Sequence, residues 1–378
     1  MNKQDRKKII AVLSMCFFSS ANSWINPVMQ LIMEAFPEVP VQTVRQISTL
    51  PALLSMFFVL AVGSLVGKKV RFLPVVSIGL FSIAVGGCMP FFFYKSFPLL
   101  ILSRVILGTG VGCIGIRNGL VIKSFEEPLR TKVLGWVILA INAGAMIVQQ
   151  LTGILGTFGL RYTFALYALS LIPLVLINLW LKEPAPEAKA EKSANGKRGK
   201  LIEKRVWLYM LTIFVIMMML YPLQMGLSSY MAENRLGDSA LAGTALSVYT
   251  LSGAILGLFY DKIQSISRKY IWVILFFPIA AGMFLVLRAQ SAFMIIAGMF
   301  FAGVSNGATV VTMARFAGIT AYSYSLALSV SLITAFGQLG NYASSFWISL
   351  CENLLPLFGD GYRATLVAGI LISAVMTL

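Results

Sequence analysis

The sequence contains no histidine, and only 12% of its 378 residues are charged. Without an imidazole, Ser/His/Asp or Cys/His catalysis is excluded, and so is most zinc chemistry. The four cysteines form no Cys-x-x-Cys pair, which speaks against a zinc site and against a disulfide framework. We therefore expect neither a cofactor nor a bound metal ion.

Hydrophobic residues are what the sequence has in excess. They make up 58% of the chain, and its mean hydropathy is +0.85, whereas a soluble domain is about half apolar and a quarter charged. A transmembrane helix needs roughly 20 predominantly apolar residues. Runs of this kind lie at 9–36, 46–66, 73–93, 97–122, 133–157, 161–181, 206–231, 240–260, 270–288, 291–314, 321–350 and 362–378. We therefore predict an all-α polytopic membrane protein with twelve transmembrane helices, which we number as spans 1 to 12.

The first and the last run carry extra information. The first follows a basic segment, as in a secretory signal, but it extends to Phe36 and so exceeds the apolar core of a signal, about 7–15 residues. We predict that it is an uncleaved first span. The last run ends at Leu378 without a polar tail, so a truncated last helix is among our expectations.

Lysine and arginine are distributed unevenly between the two sides of these spans. If the N-terminus is cytoplasmic, the segments on that side hold 22 of the 30 basic residues, and the segments on the other side hold six. Such an excess is what the positive-inside rule describes. We therefore predict a multi-pass protein of the cell membrane with both termini in the cytoplasm. The net charge of +16 follows from this topology, and no nucleic acid is expected as a partner.

One long polar segment, residues 182–205, divides the chain. It is rich in Lys, Glu, Ala and Pro and is predicted to be a cytoplasmic linker between residues 1–181, with spans 1 to 6, and residues 206–378, with spans 7 to 12. The halves share short motifs, because Gly63 is followed by Lys68 and Arg71 at the end of span 2, and Gly257 by Asp261 at the end of span 8. Two similar six-helix halves are the layout of one large transporter class.

Span 4 contains the most specific motif. It reads Arg104-Val-Ile-Leu-Gly108-Thr-Gly-Val-Gly, and the next loop reads Pro-Leu-Arg130-Thr-Lys-Val-Leu-Gly. With the motifs after spans 2 and 8, this order resembles the signatures of the major facilitator superfamily (MFS) along essentially the whole chain, although Gly67 stands where that family has Asp. The resemblance implies two pseudo-symmetric six-helix bundles and alternating access. It also implies gating or structural roles for Gly63, Lys68, Arg71, Arg104, Gly108, Arg130, Gly257 and Asp261, with Arg104 bonding backbone groups of neighbouring helices.

An ionisable residue at the centre of a bilayer costs roughly 3 kcal/mol or more, so its presence within a span points to function. Arg117 lies in span 4, six residues before Lys123 and about 9 Å from it along a helix. One interpretation is a cationic group that binds the carboxylate or phosphate of a substrate. The other is a snorkelling arginine whose stem carries its charge to the cytoplasmic interface. Only one acid, Glu34 near the outer end of span 1, touches a span.

Uncharged polar residues within the spans are candidates for the lining of a cavity. Asn22, Asn26, Gln30 and Glu34 recur at intervals of four, which would place this span-1 stripe on one face of a continuous helix. Facing lipid would be costly, so we expect the stripe to face protein or water. Further candidates, each with an interhelical hydrogen bond as the alternative, are Asn142, Gln149, Gln224, Asn306, Gln338 and Asn341.

These observations favour a transmembrane secondary transporter for a small-molecule substrate, acting as a monomer in the lipid bilayer. The substrate class that we favour is a small organic anion, moved by uniport or exchange, because the deep charge is positive and no deep carboxylate balances it. One alternative is an exporter of hydrophobic drugs or lipids. Another is a non-transporting scaffold or enzyme, which is less favoured since the spans hold no cluster of Asp or Cys at mid-depth.

Overall fold

The computed structural model describes residues 3–66, 70–127, 129–184, 203–266, 271–320, 326–355, 357 and 361–377. Most of these residues are helical, as a hydrocarbon environment requires, because a helix satisfies its backbone hydrogen bonds internally. The helices are α1 (Lys3–Cys16), α2 (Met29–Ala35), α3 (Val41–Leu65), α4 (Phe72–Phe93), α5 (Phe97–Ile114), α6 (Arg117–Ser124), α7 (Leu129–Phe158), α8 (Leu160–Thr163), α9 (Leu171–Trp180), α10 (Lys204–Met225), α11 (Leu227–Glu233), α12 (Ser239–Ile266), α13 (Ile271–Leu287), α14 (Ala292–Thr320), α15 (Leu326–Leu354) and α16 (Gly361–Thr377).

These helices correspond to the predicted spans. Within the described residues, nine segments are long and apolar enough to cross a membrane. The shorter apolar helices α13 and α16 form spans 9 and 12, and α15 forms span 11. Spans 1, 4, 6 and 7 each consist of two α-helices, and the other spans are single helices. The prediction of an all-α membrane protein with twelve spans is confirmed.

Span 1 is broken rather than continuous. Its first α-helix ends at Cys16 and the second begins at Met29, with short 3-10 segments at Ala21–Ser23 and Asn26–Val28 between them. Pro27 lies in the second segment, where its missing N–H group does not break an α-helical hydrogen bond. A 3-10 helix has three residues per turn, so an interval of four does not keep one face. The expectation that the span-1 stripe lies on one face of a continuous helix is therefore wrong.

Charged residues distinguish the two ends of the bundle. Lys8, Lys123 and Glu183, from the ends of spans 1, 4 and 6, line one small cavity. We call this end the linker side, because residues 182–205 begin there. Arg45 and Glu233, from the start of span 2 and the end of span 7, line a second cavity at the opposite end, which we call the far side.

The apolar side chains of the described residues form two large hydrophobic cores, one small cluster and a lipid-facing surface. One large core combines residues of spans 1 to 6 with Tyr221, Met225 and Ile348, and the other consists of residues that follow the linker. The small cluster lies between spans 11 and 12. Phe92, Leu179 and Phe293 are 74%, 70% and 77% exposed. Soluble monomers rarely expose large contiguous apolar patches, so these side chains mark the surface that faces hydrocarbon.

Spans 5 and 8 approach closely near the far side. Ser239 Oγ donates to the carbonyl oxygen of Gly153 at 2.9 Å, and Ser247 Oγ donates to that of Met146 at 2.8 Å. A Cβ atom on Gly153 would collide with the carbonyl oxygen of Ser239 and would lie 3.1 Å from Gly243 Cα. Small residues permit this approach of two helices in a membrane. The contact joins the part of the chain before the linker to the part after it.

On the linker side, Glu183 caps the first turn of span 3. Its carboxylate accepts hydrogen bonds from the backbone N–H groups of Phe72 at 2.6 Å and Leu73 at 2.9 Å. The first N–H groups of a helix have no intrahelical partner and carry partial positive charge, so a carboxylate stabilises them. The contact fixes the chain leaving span 6 against the start of span 3.

We predict that Gly153→Ala destabilises the protein by about 1–3 kcal/mol, because the added methyl group overpacks the contact between spans 5 and 8. The measurement is the thermal unfolding midpoint of purified protein in detergent. Gly135→Ala is the matched control in the same helix, since no described atom lies within 4 Å of a Cβ placed on Gly135. Equal midpoints for the two variants would contradict close packing at Gly153.

Candidate functional site

Arg117 lies at a break in span 4. The α-helix α5 ends at Ile114, and the N–H group of Gly115 bonds to the carbonyl oxygen of Gly112 before α6 begins at Arg117. A Cβ atom on Gly115 would collide with the side chain of Val59 in span 2. The break therefore sits where span 4 packs tightly against span 2, and it sets the direction in which α6 and Arg117 leave this contact.

The Arg117 side chain is half-buried and lacks a carboxylate partner in the described part of the chain. Its Nε–H group is fully buried and has no hydrogen-bond partner there. The titratable group near the guanidinium in the described part of the chain is the uncharged thiol of Cys16, at the end of α1. A buried donor without a partner carries a desolvation penalty of about 1–3 kcal/mol, more for a charged group. Arg117 is thus positioned to gain from an anionic ligand.

Arg104 is fully buried, on the same span but closer to the far side. Its Nη1 donates to the hydroxyl of Tyr167 at 3.4 Å, and its guanidinium lies 5.5 Å from the ring centroids of both Phe164 and Tyr167. The Tyr167 hydroxyl in turn donates to the carbonyl oxygen of Ala21 at 3.1 Å. Arg104 thus reaches the backbone of span 1 through Tyr167, while its Nε and Nη2 have no partner among the described residues.

Asn26 of the span-1 stripe lies at a junction of both parts of the chain. It is fully buried, and its Oδ1 accepts a hydrogen bond from Ser48 Oγ at 2.6 Å. The hydroxyl of Tyr221, in span 7, is 2.9 Å from Ser48 Oγ and donates to the Ser48 carbonyl oxygen at 3.2 Å. Asn22 is also buried, whereas Gln30 bonds to the carboxylate of Glu34 at 2.9 Å.

The other predicted site residues differ in their surroundings. Gln149 is buried and accepts a hydrogen bond from Thr250 in span 8 at 3.3 Å, and Gln224 bonds to the Tyr249 hydroxyl at 3.2 Å. Two residues form hydrogen bonds within their own helix, since Asn142 donates to the carbonyl oxygen of Ile138 and Asn341 donates to the side chain of Gln338. Asn306 is half-buried in α14. The structure thus joins Asn26 and Gln149 to contacts across the two parts of the chain.

The residues of the gating motifs are only partly described. Lys68 and Gly67 lie outside the described residues, and so does the side chain of Asp261. Gly108 packs against span 2, where a Cβ atom would lie 2.8 Å from Pro51 Cα. Arg130 Nε donates to the carbonyl oxygen of Phe125 at 3.0 Å, which holds the loop after span 4.

The remaining motif residues make fewer contacts. Arg71 directly precedes α4 and is exposed to solvent. No described atom lies within 4 Å of a Cβ placed on Gly63, and for Gly257 the nearest such atom, in Val311, is 3.8 Å away.

Sequence reasoning missed the far-side cavity. It has a volume of about 460 Å³ and is lined by Arg45, Glu233 and Glu352 among others, and by none of the predicted site residues. These charged residues lie just outside the apolar runs 46–66, 206–231 and 321–350, and nothing in a single sequence indicates that they converge in space. Within the lining of this cavity, Ser229 Oγ donates to Met33 Sδ at 3.3 Å, a contact between the two parts of the chain.

Comparison with known proteins identifies the architecture. Residues 11–345 match the family model described as Major Facilitator Superfamily. Similar solved structures include a bacterial homolog of the human lysosomal transporter Spinster in an inward-facing, unoccupied conformation, with TM-score 0.75, 14% identity, and coverage of 100% of this chain and 97% of that one.

The nucleoside transporter NupG has TM-score 0.74 and 13% identity over 100% of this chain and 98% of its own. The POT family transporter PepTSo has TM-score 0.76 and 13% identity over 100% of this chain and 98% of its own. At such identities the structures show the fold alone, whereas the family model covers most of the chain. The protein belongs to the major facilitator superfamily and is a multi-pass membrane transporter rather than an enzyme.

Proposed function

We propose that this protein transports a small organic anion by uniport or exchange, and that Arg117 binds the anionic group of the substrate. The observation that carries the proposal is the half-buried Arg117 guanidinium, whose buried Nε–H has no partner and which faces no described carboxylate. A substrate carboxylate or phosphate would supply both the missing charge and the missing acceptor. The planar guanidinium suits such groups because it can donate two parallel hydrogen bonds.

A second buried cation strengthens the electrostatic argument. Arg104 is fully buried in the same span, and its contacts are aromatic rings and a phenol hydroxyl rather than a carboxylate. Glu34, the acid nearest to a predicted site residue, is exposed and accepts a hydrogen bond from Gln30. Span 4 holds two cationic side chains, and the described residues offer no buried acid to either of them, so the span favours an anionic ligand over a cationic one. The same imbalance disfavours coupling of transport to an ion through a carboxylate and therefore supports uniport or exchange.

The transport cycle that we propose is alternating access between residues 1–181 and 206–378, connected by the linker. The contacts of Ser239 with Gly153, Ser229 with Met33 and Tyr221 with Ser48 would close the far side in the conformation described here. Substrate would then enter or leave from the linker side, where Arg117 lies in span 4. With the basic linker in the cytoplasm, this conformation is inward-facing, and one monomer in the cell membrane carries the complete pathway.

We predict that Arg117→Gln weakens binding of an organic anion about ten- to hundredfold, as expected for loss of a hydrogen bond to a charged group. Arg117→Lys should restore only part of the affinity, because an ammonium keeps the charge but cannot donate the bidentate pair. The measurement is a thermal-shift titration of purified protein with the tightest-binding anion from a panel of carboxylates and phosphate esters.

Arg315→Gln provides the control for this titration, since Arg315 is an exposed arginine of span 10 and not part of the proposed site. We expect it to leave the affinity for the anion unchanged. If well-folded Arg117→Gln keeps the parental affinity, anion binding at Arg117 is refuted. Stabilisation by lipophilic cations or neutral hydrophobic compounds alone would favour the exporter of hydrophobic drugs or lipids.

Alternating access leads to a second prediction. Tyr221→Phe removes the hydroxyl that bonds to Ser48, so we expect the far side to open more often. A net hydrogen-bond contribution of about 0.5–1.5 kcal/mol corresponds to a roughly two- to tenfold shift. A cysteine at Gln42, which lines the far-side cavity, would report the opening as a faster reaction with a membrane-impermeant maleimide.

Tyr362→Phe is the matched control, because the Tyr362 hydroxyl bonds to the carbonyl oxygen of Leu223 within the part of the chain that follows the linker. This control should label at the parental rate, with the protein lacking the Gln42 cysteine as background. Identical labelling of the Tyr221→Phe and Tyr362→Phe proteins would argue against a far-side closure that depends on Tyr221.

A further inference from the structure

A small basic cavity lies on the linker side, between the ends of spans 1, 4 and 6. Its volume is about 170 Å³, and it is lined by Lys8, Lys123, Ser124, Leu181, Lys182, Glu183 and Pro184. Sites for drug-sized ligands usually measure about 300–1,000 Å³. This cavity therefore suits a single small group rather than a whole organic molecule.

Three lysines from three different segments line this cavity. Lys8 belongs to α1, Lys123 to α6, and Lys182 follows α9. The Lys123 Nζ lies 5.3 Å from the centroid of the Phe72 ring, which holds it at the start of span 3. The positive charges of lysines repel one another, so lysines that converge on one cavity favour an anionic occupant.

The one carboxylate in the lining does not cancel these charges. Both oxygens of Glu183 accept backbone N–H groups, of Phe72 and Leu73, at the start of α4. Its negative charge is therefore directed at the positive end of a helix. Lys8 and Lys182 therefore give the lining of the cavity an excess of positive charge.

Ser124 adds a donor that nothing in the described structure uses. Its Oγ is fully buried and has no hydrogen-bond partner among the described residues. A buried hydroxyl without a partner is costly, and an oxygen-rich anion in the cavity would satisfy it. A phosphate group offers several acceptor oxygens to the hydroxyl and to the lysines at the same time.

The surroundings of the cavity resemble the edge of a membrane. The same three spans expose apolar side chains close to it in sequence, namely Ile10 at 51%, Ile122 at 46% and Leu179 at 70%. Trp180 lies beneath the ammonium of Lys7, at 6.0 Å, and tryptophan is typical of the membrane–water interface. Acyl chains could lie on these apolar side chains while a headgroup occupies the cavity.

We propose that the cavity formed by Lys8, Lys123, Ser124 and Lys182 binds a phosphate group, supplied by an anionic phospholipid or by free phosphate. Ser124 lies seven residues after Arg117, about 10 Å along a helix, so this site is separate from the proposed transport site. A phosphate here would tie together spans 1, 4 and 6 and the start of the linker. The inference does not depend on the identity of the transported substrate.

The test uses the full chain purified in detergent and measures its thermal unfolding midpoint. In one arm, mixed micelles contain increasing fractions of dioleoylphosphatidylglycerol, with dioleoylphosphatidylcholine as the zwitterionic reference. In the other arm, sodium phosphate is compared with sodium chloride at equal ionic strength. We expect phosphatidylglycerol or phosphate to raise the midpoint above its reference. Stabilisation by the lipid alone identifies a headgroup site, and stabilisation by inorganic phosphate as well identifies a site for free phosphate.

Variants separate this site from general surface charge. Lys8→Gln and Ser124→Ala should each raise the half-saturating ligand concentration about tenfold or more, the loss expected for a hydrogen bond to a charged group. Lys7→Gln is the matched control, because Lys7 is exposed, adjacent to Lys8 and outside the cavity lining. It should change that concentration less than about threefold.

Two results would overturn the proposal. One is a midpoint that responds no better to phosphatidylglycerol than to phosphatidylcholine and no better to phosphate than to chloride. The other is an equal loss in Lys7→Gln and Lys8→Gln, which would indicate diffuse attraction to the basic surface. Ser124→Ala removes only a hydroxyl, so it keeps the test decisive even if Lys8→Gln lowers the midpoint without ligand.

Discussion

Close approach of helix backbones is the constraint on which this structure depends. In hydrocarbon, helices gain little from burying apolar surface, so they associate through tight packing and hydrogen bonds between helices. Gly153 lets span 5 meet Ser239 of span 8, and Gly108 lets span 4 meet Pro51 of span 2. The first contact would close the far side, and the second fixes the span that carries Arg104 and Arg117.

The position of Arg117 follows from this packing. The tight contact of Gly115 with Val59 coincides with the break in span 4, and α6 begins with Arg117 directly after it. An ionised side chain within the bundle is expensive unless a partner offsets the cost of desolvation. The described residues offer Arg117 no acid, and Arg104 only a phenol hydroxyl and two aromatic rings. This interior supports our proposal that the substrate supplies the negative charge.

The sequence was sufficient to predict the number and type of the spans, because hydropathy and length depend only on neighbouring residues. Sequence reasoning missed the interruption of span 1 between Cys16 and Met29, because the apolar run reads as continuous across it. Ser, Asn and Pro favour breaks over helix interiors, and Ser20, Asn22 and Pro27 were the signal that could have indicated it. The hydrogen-bond partners of Asn26 and Glu183 could not be predicted from the sequence either. Ser48 lies 22 residues from Asn26, and Phe72 lies 111 residues from Glu183, so only the fold brings these pairs together.

The most direct test of anion transport compares ligands that differ only in charge. A series of carboxylates and the corresponding primary amides would be titrated into the purified, unmodified protein, and the thermal unfolding midpoint would be measured for each pair. If a positively charged site recognises the substrate, at least one carboxylate should raise the midpoint while its isosteric amide does not. Equal stabilisation by acid and amide, or stabilisation by lipophilic cations alone, would contradict the account.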